Sequence, residues 1–339
     1  MSRSGVRAVF RLFLALSIPG SIVAIAPPAS ALAITVTTTT DEFSDPGPGD
    51  GCALREAIRA ANGNSTYGGC TTGASGEDTI SLSAGTYELT IGKPSATEED
   101  AAATGDLDLV EDVVIQGPIA GEAVIDGSGF DDASFATPQD RVFHVLAGTV
   151  ATIRRVTITG GDANGGAQDL TGGGIWNAGS LTLENVAVTG NGDVGIRNAD
   201  PGAGTASLTL SDSSVSANGG AVGAGILNGV MVTGGMEGST LVLERSTISR
   251  NVSPHQGGGL YNGETATATV TASTISGNEA VFDGGGVYNG GTLTLNSATV
   301  ADNSATHLSN PEGAGGGIES VGGTVTLRNT ILASNVHQG

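Results

Sequence analysis

Apolar residues in this chain recur in short alternating triplets separated by polar turns, and no long segment of the repeating region carries a sustained 3.6-residue stripe. One block reads Gly172-Gly-Gly-Ile-Trp-Asn177, then Leu181-Thr-Leu183, then Val186-Ala-Val188, and closes at Asn191. The same order returns in the blocks that open at Gly257, Gly284 and Gly315. From the second apolar residue of each pair, the next core position falls five residues on. The pairs are Leu183 and Val188, Leu210 and Val215, Leu243 and Ile248, Val270 and Ile275, Leu295 and Val300, and Leu327 and Leu332. Ile153 with Ile158 and Leu109 with Val114 extend the rule upstream. The closing asparagines are Asn191, Asn218, Asn251, Asn278, Asn303 and Asn335, spaced by 27, 33, 27, 25 and 32 residues.

Each triplet predicts a short strand with alternate side chains pointing inward. Repeats of this length suit one turn of a coil built from three short strands and loops of variable size. The expected fold is therefore all-β: a right-handed parallel β-helix, a solenoid with a short N-terminal capping helix. Glycine and asparagine are expected at its corners, because both tolerate positive φ. A propeller, with more regular blades and antiparallel hairpins, fits less well.

The N-terminal third follows a different pattern. Residues 34–40 alternate like a strand. Residues 53–62 predict a helix with Leu54, Ala57, Ile58 and Ala61 on one face. A solenoid exposes its last core layer at each end, and this helix is read as the cap at one of them. Strands follow at 78–82 and 87–91, with polar loops at 92–105 and 127–140. The expected organisation is a signal peptide at 1–33, the cap and first strands at 34–91, and β-helix repeats at 92–339. The last strand and corner run directly into Val336-His-Gln-Gly339, so the C-terminal end is expected to be uncapped or truncated.

Arg3, Arg7 and Arg11 precede an apolar stretch from Leu12 to Ile25 that Pro19 and Gly20 interrupt, and Ala31-Leu-Ala33 offers a small-x-small cleavage pattern. An exported protein cleaved after Ala33 is expected, placed outside the cell or on its surface. The stretch is too short and broken to favour a membrane span. Removing three arginines takes the formal charge from −21 to −24. Such a surface excludes nucleic acid as a natural partner, since binding it means neutralising phosphates with Lys and Arg. Cys52 and Cys70 lie close together in an exported chain and are expected to form a disulfide. The rival reading, a pair of metal ligands, finds no nearby His or further Cys.

The segment Cys52-Ala-Leu-Arg-Glu-Ala-Ile58, continuing to Ala61-Asn62, resembles the CSLREA motif of bacterial exported β-helix proteins, with Ala53 where Ser or Thr is usual. Asp78-Thr-Ile-Ser-Leu82, Gly85-Thr-Tyr87, Gly105-Asp-Leu-Asp-Leu109 and the Gly-Gly-Gly-Ile-Trp-Asn block are similar to that family as well. The resemblance covers nearly all of residues 34–339. It implies a fold like that of pectin and pectate lyases, and it implies no general activity and no catalytic residues.

Candidate sites are few. The residues after the apolar position of each Gly-rich block are Trp176, Arg197, Leu227, Tyr261, Tyr288 and Glu319. They should share one outward row, with Trp176, Tyr261 and Tyr288 as a candidate platform for sugar rings. The competing reading packs them under neighbouring loops. A second column, Asn177, Asn198, Asn228, Asn262 and Asn289, reads as an amide ladder. Asp106 and Asp108 alternate onto one outer face, and Asp126, Asp131, Asp132 and Asp140 flank a long loop near Arg154 and Arg155 in sequence. These acids are the weak candidates for catalysis or for calcium. His144 is read as a strand residue and His255, His307 and His337 as loop residues, with no metal-ligand spacing among them. No catalytic set emerges and no metal or cofactor site is assigned. The leading expectation is a non-enzymatic exported or cell-surface protein that recognises extracellular polysaccharide or contributes to adhesion. A polysaccharide lyase or glycoside hydrolase, and a purely structural surface element, are the alternatives.

Overall fold

A computed structural model describes residues 32–43, 51–93, 99–130, 140–163, 172–200, 202, 205–220, 222–229, 238–306 and 315–337. Most of the expected signal peptide, residues 1–31, lies outside them. Leu32 and Ala33 do not: Thr79 donates its N–H to the Leu32 carbonyl at 2.8 Å, and Ala33 opens the strand Ala33–Thr35. That strand is shorter than the expected span 34–40.

The chain coils as a right-handed parallel β-helix. Its described strands stack into sheets of ten, eight, nine and four strands, and the ladders between them are parallel. One turn shows the plan. Leu260–Asn262 joins the eight-stranded sheet, Thr267–Thr271 the ten-stranded sheet, Thr274–Ser276 the nine-stranded sheet and Glu279–Ala280 the four-stranded sheet. Register is kept residue for residue. Leu183 pairs with Ile153 and Leu210, and Leu243 with Leu210 and Val270. These inward Leu, Ile and Val side chains form dry columns along the axis.

The offset of five has a simple geometric origin. Leu183 points inward and Glu184 outward, then Asn185 takes a left-handed conformation (φ 54°) and turns the chain into the next strand. Val186 and Val188 point back into the core. The same corner is turned by Arg155, Asp212, Arg245, Ala272, Ser297 and Asn329, all near φ 50°. Positive φ is thus not reserved for glycine and asparagine, contrary to expectation. Repeated ladder bonding on both sides of the corner outweighs the roughly 1 kcal/mol that a left-handed non-glycine residue costs.

The closing asparagines act through their side chains instead. Each Nδ2 donates to the Oδ1 of the next: Asn191 to Asn218 at 2.8 Å, Asn218 to Asn251 at 3.0 Å, Asn251 to Asn278 at 2.9 Å. A second ladder joins Asn177, Asn198, Asn228, Asn262 and Asn289 at 2.7–2.8 Å.

The helix α1 (Leu54–Asn62) sits at the N-terminal end, tied by the Cys52–Cys70 disulfide. Its charged residues are anchors. Glu56 accepts the Ala53 N–H at its own N-terminus, while buried Arg55 ion-pairs with Asp41 at 2.7 Å and donates to the Gly105 carbonyl at 2.8 Å. Asn62 donates to the Asp108 carbonyl and accepts from the Val110 N–H. In the expected loop 127–140, Gly127–Phe130 forms a 3-10 turn; residues 131–139 lie outside the described set. At the opposite end Leu327, Ile331 and Leu332 are exposed.

Candidate functional site

The eight-stranded sheet carries the outward row anticipated from the Gly-rich blocks, and it starts two coils earlier. Asp108 pairs in register with His144, His144 with Trp176, Trp176 with Arg197, and the row continues through Leu227, Tyr261 and Tyr288 to Glu319. Parallel ladders place such neighbours about 4.8 Å apart, so flat side chains stack on one another. His144 and Trp176 stack at 4.5 Å, and Tyr261 and Tyr288 at 4.9 Å with ring planes 9° apart. The guanidiniums of Arg197 and Arg141 lie over Trp176 at 4.6 and 4.8 Å, and its indole N–H is donated to the Ala199 carbonyl.

These contacts lend the sugar-platform reading little support. A platform needs free ring faces, and here His144 and the guanidiniums cover those of Trp176. Tyr261 stacks on Tyr288 and packs with Val194, Val222 and Leu227 in a small cluster outside the main core; it is 7% exposed. Burial, with the charges of Tyr288 and Glu264, pushes its phenol up to about 12.

Among the described acidic candidates, Asp106 and Asp140 lie together, the Asp106 N–H donating to Asp140 at 3.0 Å, whereas Asp126 lies apart on another sheet. Asp106 pairs with Arg141 at 3.0 Å and Asp140 with Lys93 at 3.0 Å. Asp108 faces His144 at 3.2 Å and accepts the Ala102 N–H at 2.8 Å; burial pushes its carboxyl above the usual range. All three are buried. Asp126 lies on the nine-stranded sheet, where it accepts the Ser128 N–H at 2.9 Å within the 3-10 turn. Asp131 and Asp132 lie outside the described residues, as does His307. Arg154 and Arg155 turn to Gln116 and Gly117. His337, read as a loop residue, lies in the strand Val336–His337.

A groove of about 710 Å³ opens at the corner between the ten- and nine-stranded sheets. Two unlike features build it. Most coils turn this corner in two residues, such as Arg155-Val156, but the coil before them takes residues 117–122. That longer connection forms an end wall, with Ile119 95% exposed. The floor is a column in register: Thr157, Ala187, Ser214 and Thr247. Beside it run the left-handed corner residues Arg155, Asn185, Asp212 and Arg245.

The groove is rich in fixed hydrogen-bonding groups. Thr157 donates to Glu122 at 2.7 Å. Arg245 grips Asp212 through two bonds of 2.9 and 2.8 Å. That contact holds the Asp212 carboxyl below its usual range and pushes the Arg245 guanidinium up. An acid held ionised and a base held protonated are poor proton carriers at neutral pH, but both bind hydroxyls well. Sequence reasoning noted Arg155 and passed over Glu122, Thr157, Asp212 and Arg245. The clue was the six-residue corner at 117–122, where most coils take two.

No protein-family model matches the chain, and no curated protein matches it. Among solved structures it is similar to the pectate lyase Pel9A, with 17% sequence identity and a TM-score of 0.45, over 89% of this chain and 78% of that one. No helix among the described residues is long and apolar enough to cross a membrane.

Proposed function

We propose that this chain is an exported, non-enzymatic β-helix that recognises an extended, hydroxyl-rich glycan in the corner groove. The observation that carries the reading is the in-register column of Thr157, Ala187, Ser214 and Thr247, hydroxylated at all but Ala187, beside Arg155, Asn185, Asp212 and Arg245. Its polar groups recur at the coil pitch of about 4.8 Å, a step comparable with one pyranose unit. A sugar chain lying along the axis would meet at least one polar side chain at each coil, while Ile119 stops one end.

Export is supported by the basic and apolar leader, by the disulfide, and by the resemblance of the Cys52–Asn62 segment to exported β-helix proteins. Because Leu32 and Ala33 belong to the first ladder, we place leader cleavage between Ala31 and Leu32, behind Ala29-Ser-Ala31. A neutral glycan is favoured, since the formal charge, −21 for the whole chain and −24 once the leader with Arg3, Arg7 and Arg11 is removed, repels polyuronates unless calcium bridges the two. The lyase and hydrolase readings gain less support: Arg245 is held protonated, and among the described acids Asp106 and Asp140 are held in ion pairs.

The test is a glycan array on the mature protein with and without calcium, with product analysis of every bound glycan. Binding without shortened or unsaturated products is the expected result. Product release would replace recognition by catalysis, and absence of binding would leave a structural surface element.

A further inference from the structure

We propose that Asp100, Asp108 and His144 form a binding site for a single divalent transition ion of the zinc class. Asp100 lies in the loop that leads into the strand carrying Asp108, and His144 comes from the strand stacked on it, 36 residues beyond Asp108. His144 Nδ1 lies 3.2 Å from Asp108 Oδ1 and 3.8 Å from Asp100 Oδ1, and the three ligand atoms fall within 4.8 Å of one another. Zinc bonds of about 2.0–2.2 Å in tetrahedral array need ligand atoms about 3.4 Å apart. The two measured edges bracket that value and the third is no longer than 4.8 Å, so the exposed Asp100 side chain needs to move by little more than an ångström to close on an ion.

The geometry is held before any ion arrives. The His144 ring stacks on Trp176 at 4.5 Å, which fixes its plane. The other carboxylate oxygen of Asp108 accepts the Ala102 N–H, which leaves Oδ1 aimed at the imidazole. Such supporting contacts orient metal ligands in built sites. The charge pattern points the same way. Buried Asp41, Asp106 and Asp140 each face an Arg or Lys, whereas buried Asp108 faces the imidazole, with Glu99 adding negative charge nearby. A divalent cation supplies the missing positive charge.

Ligand chemistry chooses the ion. One imidazole and two carboxylates suit zinc and its first-row neighbours, while calcium prefers six to eight oxygens. Asp100 is 60% exposed on its side chain, so the fourth position opens to solvent and can take water or an oxygen from a ligand. The ion would also tie the loop at 99–106 to the sheet. This site is independent of the glycan groove.

The experiment is calorimetric titration of the chelator-treated mature protein with Zn²⁺, and separately with Ca²⁺, together with visible absorption of the Co²⁺ form. One equivalent of Zn²⁺ should bind, with a four- or five-coordinate cobalt spectrum and much weaker binding of calcium. His144→Gln should weaken zinc by about 100-fold and Asp100→Asn by about 10-fold. Asp100→Asn alters an exposed side chain, so it keeps the test readable should His144→Gln fail to fold. Absence of stoichiometric zinc binding would overturn the site. So would wild-type affinity in the Asp100 variant, or calcium binding as tightly as zinc.

Discussion

Arg55 Nε meets Asp41 Oδ1 at 2.7 Å and Arg55 Nη2 meets Asp41 Oδ2 at 3.2 Å, between two side chains that water hardly reaches. The same carboxylate oxygen Oδ2 accepts the N–H groups of Thr90 and Ile91, and the guanidinium also reaches the carbonyls of Ala102, Gly105 and Asp106. One ion pair therefore ties α1 to three separate segments and closes the end of the solenoid. Removing one partner strands the other charge in a dry site. Arg55→Met should cost about 3–5 kcal/mol of unfolding free energy, read by urea denaturation. Arg55→Lys should recover only part of it, because an ammonium cannot reproduce the planar fork.

The asparagine ladder supports a second prediction. Asn251 Oδ1 accepts both the N–H and the Nδ2 of Asn218, and Asn251 Nδ2 donates to the Val215 carbonyl and to Asn278. In Asn251→Ala the buried Asn218 N–H and Val215 carbonyl lose these partners, at about 1–3 kcal/mol each. Asn335→Ala, at the half-buried end of the same ladder, should cost clearly less. Equal losses in chemical denaturation would show that the ladder is decoration on a stack held by its apolar columns.

Alkaline titration tests the covered aromatic row. Burial raises the Tyr261 phenol from its ordinary 10 to about 12, so folding favours the neutral form. That contribution is fully present below pH 10 and is lost as pH rises through about 12. Phenolate absorbance should show a late-titrating tyrosine, and unfolding free energy should fall across this window. Tyr261→Phe should lessen the fall, because this buried hydroxyl is no longer there to ionise, while Tyr87 and Tyr288, also raised by burial, keep their part of it. An ordinary titration for every tyrosine would mean that the row is open to water.

The architecture was legible because coiling imposes local rules. The five-residue offset is one left-handed corner between two inward positions, and the asparagine spacings are coil lengths. The helix at residues 53–62 was equally plain, since Leu54, Ala57, Ile58 and Ala61 share a face. What stayed hidden depends on neighbours across coils. His144 and Asp108 are 36 residues apart in the chain, and only in-register pairing brings their side chains together. The fate of Trp176 was hidden for the same reason: outward direction is set by alternation, but free ring faces depend on the coils above and below. Arg55 and Glu56 were visible as a motif, yet their burial as anchors required the loops that fold onto them.

The groove makes the sharpest functional prediction. Arg245 and Asp212 are about half exposed on their side chains, and such surface pairs contribute little to folding. Arg245→Ala should therefore leave the melting temperature almost unchanged. Binding of the glycan found by array should fall about 10-fold or more, because a charged donor to its hydroxyls is gone and Asp212 is left uncompensated beside it. Ile119→Ser, at a side chain already in water, should likewise spare the fold. It should weaken binding only if the end wall touches sugar. Isothermal titration beside a thermal melt separates the outcomes. If both variants bind as the wild type does while His144→Gln does not, the glycan sits on the eight-stranded sheet and not in the corner groove.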